Sequence, residues 1–158
     1  MAEILLHSPL TGWCLPLDDV PDPVFATRML GAGVAIDPTD GLLAAPCAGT
    51  VAVPGDRRHA LTLRLEGGIE LLLHVGIDTV RLGGQGFTLD VRDGQRVQAG
   101  DALLRFDLDI VAREAASLIT PIVAGPAGVV TVSQLRPPGP VRRGDALLRL
   151  VPASIAAP

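Results

Sequence analysis

Three histidines occur in the chain, at positions 7, 59 and 74, and two of them flank a segment that reads as a hairpin. Leu61–Leu65 and Gly68–His74 are largely apolar runs, and Glu66-Gly67 separates them. A two-residue loop at Glu66-Gly67 would oppose Leu65 to Gly68, Leu61 to Leu72 and His59 to His74. Directly opposed residues project from one side of a sheet with Cβ atoms ~5 Å apart. A three-residue loop would shift that register by one. Two facing imidazoles suit phosphoryl chemistry. Free imidazole titrates near ~6.5, so a neutral nucleophile is available around neutral pH. A bare ring nitrogen can attack phosphorus and hold the group as a phosphoramidate, while its neighbour donates a hydrogen bond to the crowded oxygens. Asp78, four residues after His74, can tune the local field or orient the site, and Arg57 and Arg58 add phosphate-binding capacity beside His59. Gly76 permits close approach of another molecule. His7, near the start of the chain, reads as structural. Taken singly, His59 and His74 each read as evenly structural or functional, although His74 ends the apolar run Leu71-Leu72-Leu73, where a polar ring needs a reason.

The elements that must carry these residues are short strands broken by turn residues. Ile4–Leu6, Gly33–Ile36, Gly49–Val53, Ala60–Leu65, Ile69–Val75, Phe87–Val91, Ala102–Phe106, Gly128–Val132 and Ala146–Val151 read as strands. Helical spacing is clear only at Leu108–Leu118, with a short turn of helix expected within Pro23–Leu30. Gly100-Asp101-Ala102-Leu103-Leu104-Arg105 recurs 44 residues later as Gly144-Asp145-Ala146-Leu147-Leu148-Arg149, and Val97 and Val141 keep the same offset. Each copy reads as a Gly-Asp turn feeding a buried strand. The expected fold is all-β, an antiparallel sandwich or barrel with pseudo-symmetric halves and one or two short helices.

Composition narrows the function classes. The 158 residues suffice for one domain with a sizeable core, and with only 3% aromatics that core must be built of Leu, Val, Ile and Ala. Eighteen Gly and 14 Pro suit many tight turns and not a helical bundle. A net charge of -4 argues against a nucleic-acid partner, which needs clustered cations. All 13 basic residues are arginine, so a biotinyl or lipoyl carrier, which needs a lysine at a hairpin tip, is excluded. Cys14 and Cys47 read as two buried thiols in preference to a disulfide. No apolar run approaches the ~20 residues of a membrane helix and no secretory leader is visible, so direct membrane insertion is not expected and a cytoplasmic location is.

The string Gly68-Ile69-Glu70-Leu71-Leu72-Leu73-His74-Val75-Gly76-Ile77-Asp78-Thr79-Val80 resembles the active-site signature of the glucose-family enzyme IIA domains of the bacterial sugar phosphotransferase system. Ser8-Pro9-Leu10-Thr11-Gly12, Asp19–Ala26, Gly31–Ile36, Ala45–Val51, His59-Ala60, Gly86-Phe87, Gly94–Val97 and Phe106–Leu108 extend the likeness, which covers about residues 4 to 151. It implies a fold of the duplicated-hybrid-motif type and a phosphotransferase component, a histidine phosphocarrier. His74 would accept the phosphoryl group on Nε2 from phosphorylated HPr, with the Gly76 carbonyl fixing the proton on Nδ1. His59 would stabilise the group in transfer, and Asp78 would flank the site. The phosphoryl would pass to a cysteine of a IIB domain of a sugar permease, for uptake of glucose or N-acetylglucosamine. An apolar collar including Phe25, Met29, Leu30 and Val80 would dock both partners. No cofactor is required, although some relatives bind Zn through the two histidines when a partner adds a ligand. Relatives often place threonine where this chain has Arg57, and some carry a long N-terminal tail that this chain is read as lacking. The enzyme IIA domain is expected to span residues 1–151. The Pro/Ala-rich 152–158 reads equally as a frayed end or as the start of a linker into further domains such as HPr and enzyme I.

Two readings from other classes stand beside this one. A regulatory module of the same fold would bind its partners through the same face without passing phosphate on. A zinc peptidase shares the wider fold and the His74–Asp78 spacing, but it needs a later His-x-His, and no histidine follows His74.

Overall fold

The computed structural model describes residues 3–55 and 57–153. Their centre is an eight-stranded antiparallel sheet. Its middle is made by β3 (Ala32–Pro38), β11 (Thr120–Gly125), β7 (Glu70–His74) and β6 (Ala60–Arg64), in that spatial order. β13 (Gly139–Val141) and β2 (Gly12–Pro16) continue it beyond β3, and β5 (Gly49–Ala52) and β9 (Arg96–Val97) beyond β6. Two three-stranded sheets complete the β-sandwich. In one, β14 (Ala146–Pro152) lies between β1 (Ile4–His7) and β12 (Val130–Gln134). In the other, β10 (Ala102–Phe106) lies between β4 (Leu42–Ala44) and β8 (Phe87–Leu89).

The sequence repeat is the origin of this symmetry, since its two copies open the central strands of the two small sheets. Asp101 accepts the Gln98 N–H at 2.8 Å and Asp145 accepts the Arg142 N–H at 2.9 Å, so both copies close the same turn. The turns are tied into equivalent neighbours: the Gly100 N–H donates to the Ala45 carbonyl at 2.8 Å, and the Gly144 N–H to the Ser8 carbonyl at 2.9 Å. Leu103, Leu104, Leu147 and Leu148 then enter the core fully buried. A fully buried leucine contributes about 1.5–3 kcal/mol, so aliphatic side chains supply the core that the few aromatics cannot.

Strand alternation sets the two faces of the large sheet. Leu61 and Leu63 of β6 and Leu71 and Leu73 of β7 point into the main core. Leu72 points the other way, toward a second cluster of Leu17, Val20, Phe25, Ala35, Ile77 and Val123. His74, two residues past Leu72, ends the strand on that second face.

The hairpin register differs from the expected one. β6 and β7 pair Leu61 with Leu73, Leu63 with Leu71 and Ala60 with His74, one residue away from the pairing of a two-residue loop. The loop is three residues, Glu66–Gly68, closed by the Leu65 N–H on the Ile69 carbonyl at 2.9 Å. Gly67 and Gly68 both take φ near +77 (76 and 77), which two consecutive glycines permit without strain. His59 is therefore not directly opposed to His74.

Other boundaries moved for local reasons. The helix predicted over Leu108–Leu118 is α2, Leu108–Glu114. Beyond it the chain extends so that the Ser117 carbonyl can accept the Ile77 N–H at 2.9 Å. Within Pro23–Leu30 only Pro23–Ala26 is helical, here α1. β11 was not expected from the sequence, although all six of its residues are buried. β2 and the short β4, β9 and β13 were not expected either. Cys14 and Cys47 are free and buried, and burial pushes the Cys47 thiol up to about 11. Of the expected C-terminal segment, Pro152 closes β14, and residues 154–158 lie outside the described residues.

Candidate functional site

His59 and His74 meet despite the register. His59 lies one residue before β6, where the chain has left regular pairing, but its carbonyl still accepts the Val75 N–H at 2.8 Å. The ring is thus free to lean across the end of the hairpin, and the two ring centroids lie 4.9 Å apart with their planes at 76°. Phe25 packs against His74 at 5.3 Å, and Phe87 against His59 at 6.3 Å. Each imidazole therefore has an aromatic wall and the other imidazole for neighbours.

The tautomer of His74 follows from its partner. Nδ1 lies 2.8 Å from the Gly76 carbonyl oxygen, which can only accept, so Nδ1 carries the proton and Nε2 is bare. The bond requires the chain to curl back within two residues, and Gly76 does so at φ +72. A Cβ there would stand 2.6 Å from Thr79 Cγ2 and 2.9 Å from the Ser117 carbonyl, so no other residue fits. The Gly76 N–H donates to Thr120 Oγ1 at 3.2 Å, and that hydroxyl donates to the Leu118 carbonyl at 3.0 Å. Thr79, fully buried, donates to the Val75 carbonyl at 2.7 Å. β11 and the turn after His74 thereby fix the carbonyl that fixes the ring.

Both rings are neutral at neutral pH. Burial, then the neighbouring His74, then the Arg57 charge bring His59 down to about 4. Burial also lowers His74, against the opposing pull of the Gly76 hydrogen bond and the Asp22 carboxylate. A neutral, half-buried imidazole with one nitrogen pinned and the other bare is equipped for nucleophilic attack.

The remaining expected site residues divide. Arg57 lines a depression with His59 and Val80, whereas the Arg58 stem lies along Gly84. Asp78, in the left-handed region at φ 63, turns its carboxylate to Arg81 at 2.9 Å. The acid whose charge bears on His74 is instead Asp22, which also caps α1 by accepting the Val24 N–H at 3.0 Å. Met29 (70%), Leu30 (43%) and Val80 (53%) are exposed, and Val24 joins them. Phe25 does not belong to an exposed collar: only 5% of it is accessible, because it packs beneath against His74. His7 hydrogen-bonds the Gly144 carbonyl at 3.0 Å and so belongs to one of the repeat turns.

The sequence reading missed Asp22 and Thr120. An Asp-Pro pair announces a helix start, but not that the start lies beside a histidine far along the chain. Thr120 is 44 residues from the glycine it supports, beyond the reach of any local spacing. A cavity of about 660 Å³ lies between the repeat turns, among His7, Ala45, Gly100 and Gly144, and does not include the histidine pair. As a metal site the pair offers two ligands of the four zinc usually takes. Among the described residues no group of three or more His, Cys, Asp or Glu could hold a metal ion, so the pair fits zinc only with donors from elsewhere.

Residues 4–127 match the protein family described as phosphoenolpyruvate-dependent sugar phosphotransferase system, EIIA 1. The chain is 46% identical over 121 residues to the PTS system glucose-specific EIIA component of Halalkalibacterium halodurans, an alignment covering 77% of this chain and 70% of that protein. Its fold is similar to that of glucose permease IIA from Mycoplasma capricolum, with a TM-score of 0.88 at 36% identity, covering 94% of this chain and 96% of that one.

Proposed function

This chain belongs to the EIIA 1 family of the phosphoenolpyruvate-dependent sugar phosphotransferase system, and on that footing we propose that it is a histidine phosphocarrier with His74 as the phosphorylated residue. The observation that carries the reading is the Nδ1 bond of His74 to the Gly76 carbonyl, which leaves Nε2 bare beside the His59 ring. The Nε2 lone pair attacks the phosphorus of phosphorylated HPr. The new N–P bond forms as the old one to the donor imidazole breaks, and that imidazole leaves. In the second step a cysteine thiolate of a IIB domain attacks the same phosphorus and the His74 imidazole is the leaving group. His59 donates a ring N–H to the phosphoryl oxygens in both steps, where charge and crowding peak. Its low pKa keeps it a neutral donor, so it does not bind the phosphoryl group too tightly to release.

Asp22 and Asp78 act on the site at a distance, the first through its charge and the second by fixing Arg81 at the start of the exposed turn. Met29, Leu30 and Val80 form the docking surface around the histidines. The similarity to a glucose-specific component favours glucose over N-acetylglucosamine, with the choice of sugar made by the membrane subunit. Phosphoryl exchange with HPr places the work in the cytoplasm, and among the described residues no helix is long and apolar enough to cross a membrane. Zinc would need a third donor from a docked partner and takes no part in the transfer.

Incubation with phosphoenolpyruvate, enzyme I and HPr should add one acid-labile phosphate, and His74→Ala should abolish it. Label persisting in that variant would exclude His74 as the acceptor. His59→Gln should still be phosphorylated but pass the group to IIB at least tenfold more slowly. Unimpaired onward transfer would remove the role given to His59.

A further inference from the structure

Arg57 stands two residues before His59, at the position where threonine is expected from the family resemblance. Its backbone N–H donates to the Pro54 carbonyl at 3.3 Å, which fixes the chain on entry to His59. Its side chain is exposed and lines a depression of about 220 Å³ with His59, Val80, Gly83 and Gly84. The charge is close enough to lower the pKa of both rings. The two neighbouring arginines are placed differently. Arg58 lies against Gly84, and Arg81 is held by Asp78. Arg57 makes no ion pair with the other described residues, and unlike Arg58, which lines a separate depression with Gly55, Gln85 and Leu89, it shares its depression with His59. A cation that shares an open depression with His59, whose charge reaches both rings and which no carboxylate of the described residues engages, is arranged for an anion that arrives from outside.

We infer that Arg57 is a further phosphoryl-binding residue: its guanidinium takes the oxygens of the group carried by His74 and stabilises the phosphorylated state itself. The planar fork of a guanidinium matches phosphoryl oxygens two at a time, which a threonine hydroxyl cannot do. His59 and Arg57 then divide the work. The neutral imidazole serves the group in transit, and the cation serves it at rest. The other charged groups at the site, Asp22 from the α1 cap and the Asp78–Arg81 pair, are oriented by contacts of their own. The inference rests on the phosphocarrier reading above.

The test separates equilibrium from rate. Wild type, Arg57→Gln and Arg57→Lys are each mixed with phosphorylated HPr, and the ratio of phosphorylated chain to phosphorylated HPr is measured at equilibrium by phosphorus NMR. Arg57→Gln should shift the ratio toward phosphorylated HPr by roughly three- to tenfold, and Arg57→Lys, which keeps the charge without the fork, by less. A residue that only positioned His59 would slow the forward and reverse reactions equally and leave the ratio unchanged, and that result would overturn the inference. Because the side chain is exposed, thermal midpoints should match wild type and exclude a folding defect as the cause. A wild-type chain that takes no phosphoryl group from HPr would instead overturn the parent reading and this one with it.

Discussion

His59 is only 4% exposed, yet it is a polar ring with no oppositely charged partner among the described residues to keep it protonated. Its pKa falls to about 4, whereas in an unfolded chain it would sit near ~6.5. Between those values the unfolded state binds a proton that the folded state refuses, so stability falls as the pH drops. The contribution is complete above about pH 6.5 and is lost progressively down to about pH 4, on the order of 3 kcal/mol for a shift of this size. His74 is shifted in the same direction and adds to the slope. Urea unfolding at pH 7 and at pH 4.5 should therefore show a larger loss for wild type than for His59→Gln, by about 2 kcal/mol. Equal losses would mean that the His59 ring is protonated in the fold. At this scale the sequence was informative. The types and spacing of His59, His74 and Gly76 pointed to residues that the fold does bring together. Asp78 is close to His74 in sequence, but the carboxylate whose charge raises the His74 pKa is Asp22, which only the fold brings in.

The hairpin and the turn after it show how elements convert those residues into a site. The β6–β7 register slipped by one residue because Glu66–Gly68 forms a three-residue loop, a possibility open in the sequence but not decided by it. The rings met nonetheless, since His59 lies outside the regular strand and reaches across diagonally. The turn at Gly76 tolerates no such latitude. Gly76→Ala would force a Cβ into Thr79 and the Ser117 carbonyl at positive φ, and should cost about 1–3 kcal/mol while releasing the His74 ring. Thr120→Val is the gentler probe. It removes the acceptor of the Gly76 N–H and should cost about 1–3 kcal/mol by leaving a buried donor unpaired, with the fold kept. Phosphorylation by HPr should slow in both variants, and more in Gly76→Ala. Rates equal to wild type in both would deny the turn its role. β11, which brings Thr120, escaped the sequence reading because Pro121 and the small Ala124-Gly125 hide a buried strand behind turn-forming residues.

Across the whole molecule the duplicated Gly-Asp-Ala-Leu-Leu-Arg motif was legible because each copy must build the same turn and feed the same kind of central strand. The burial of the proposed docking residues was legible only in part. Met29, Leu30 and Val80 are exposed, but Phe25 is buried against His74, and no sequence pattern separates an exposed apolar residue from a buried one beside it. Docking through this face should depend on apolar contact. Val80→Asp should lower kcat/KM for phosphorylation by HPr at least tenfold with an unchanged thermal midpoint, because Val80 is 53% exposed and supports little of the core. An unaltered kcat/KM would move the docking surface elsewhere. The most direct test of the account is phosphorus and nitrogen NMR of the chain, with nitrogen-labelled histidine, after phosphorylation by phosphoenolpyruvate, enzyme I and HPr. The expected spectrum has a single phosphoryl group bonded to Nε2 of His74, with the proton still on Nδ1 facing Gly76. A phosphoryl group on Nδ1, one on His59, or none at all would contradict it.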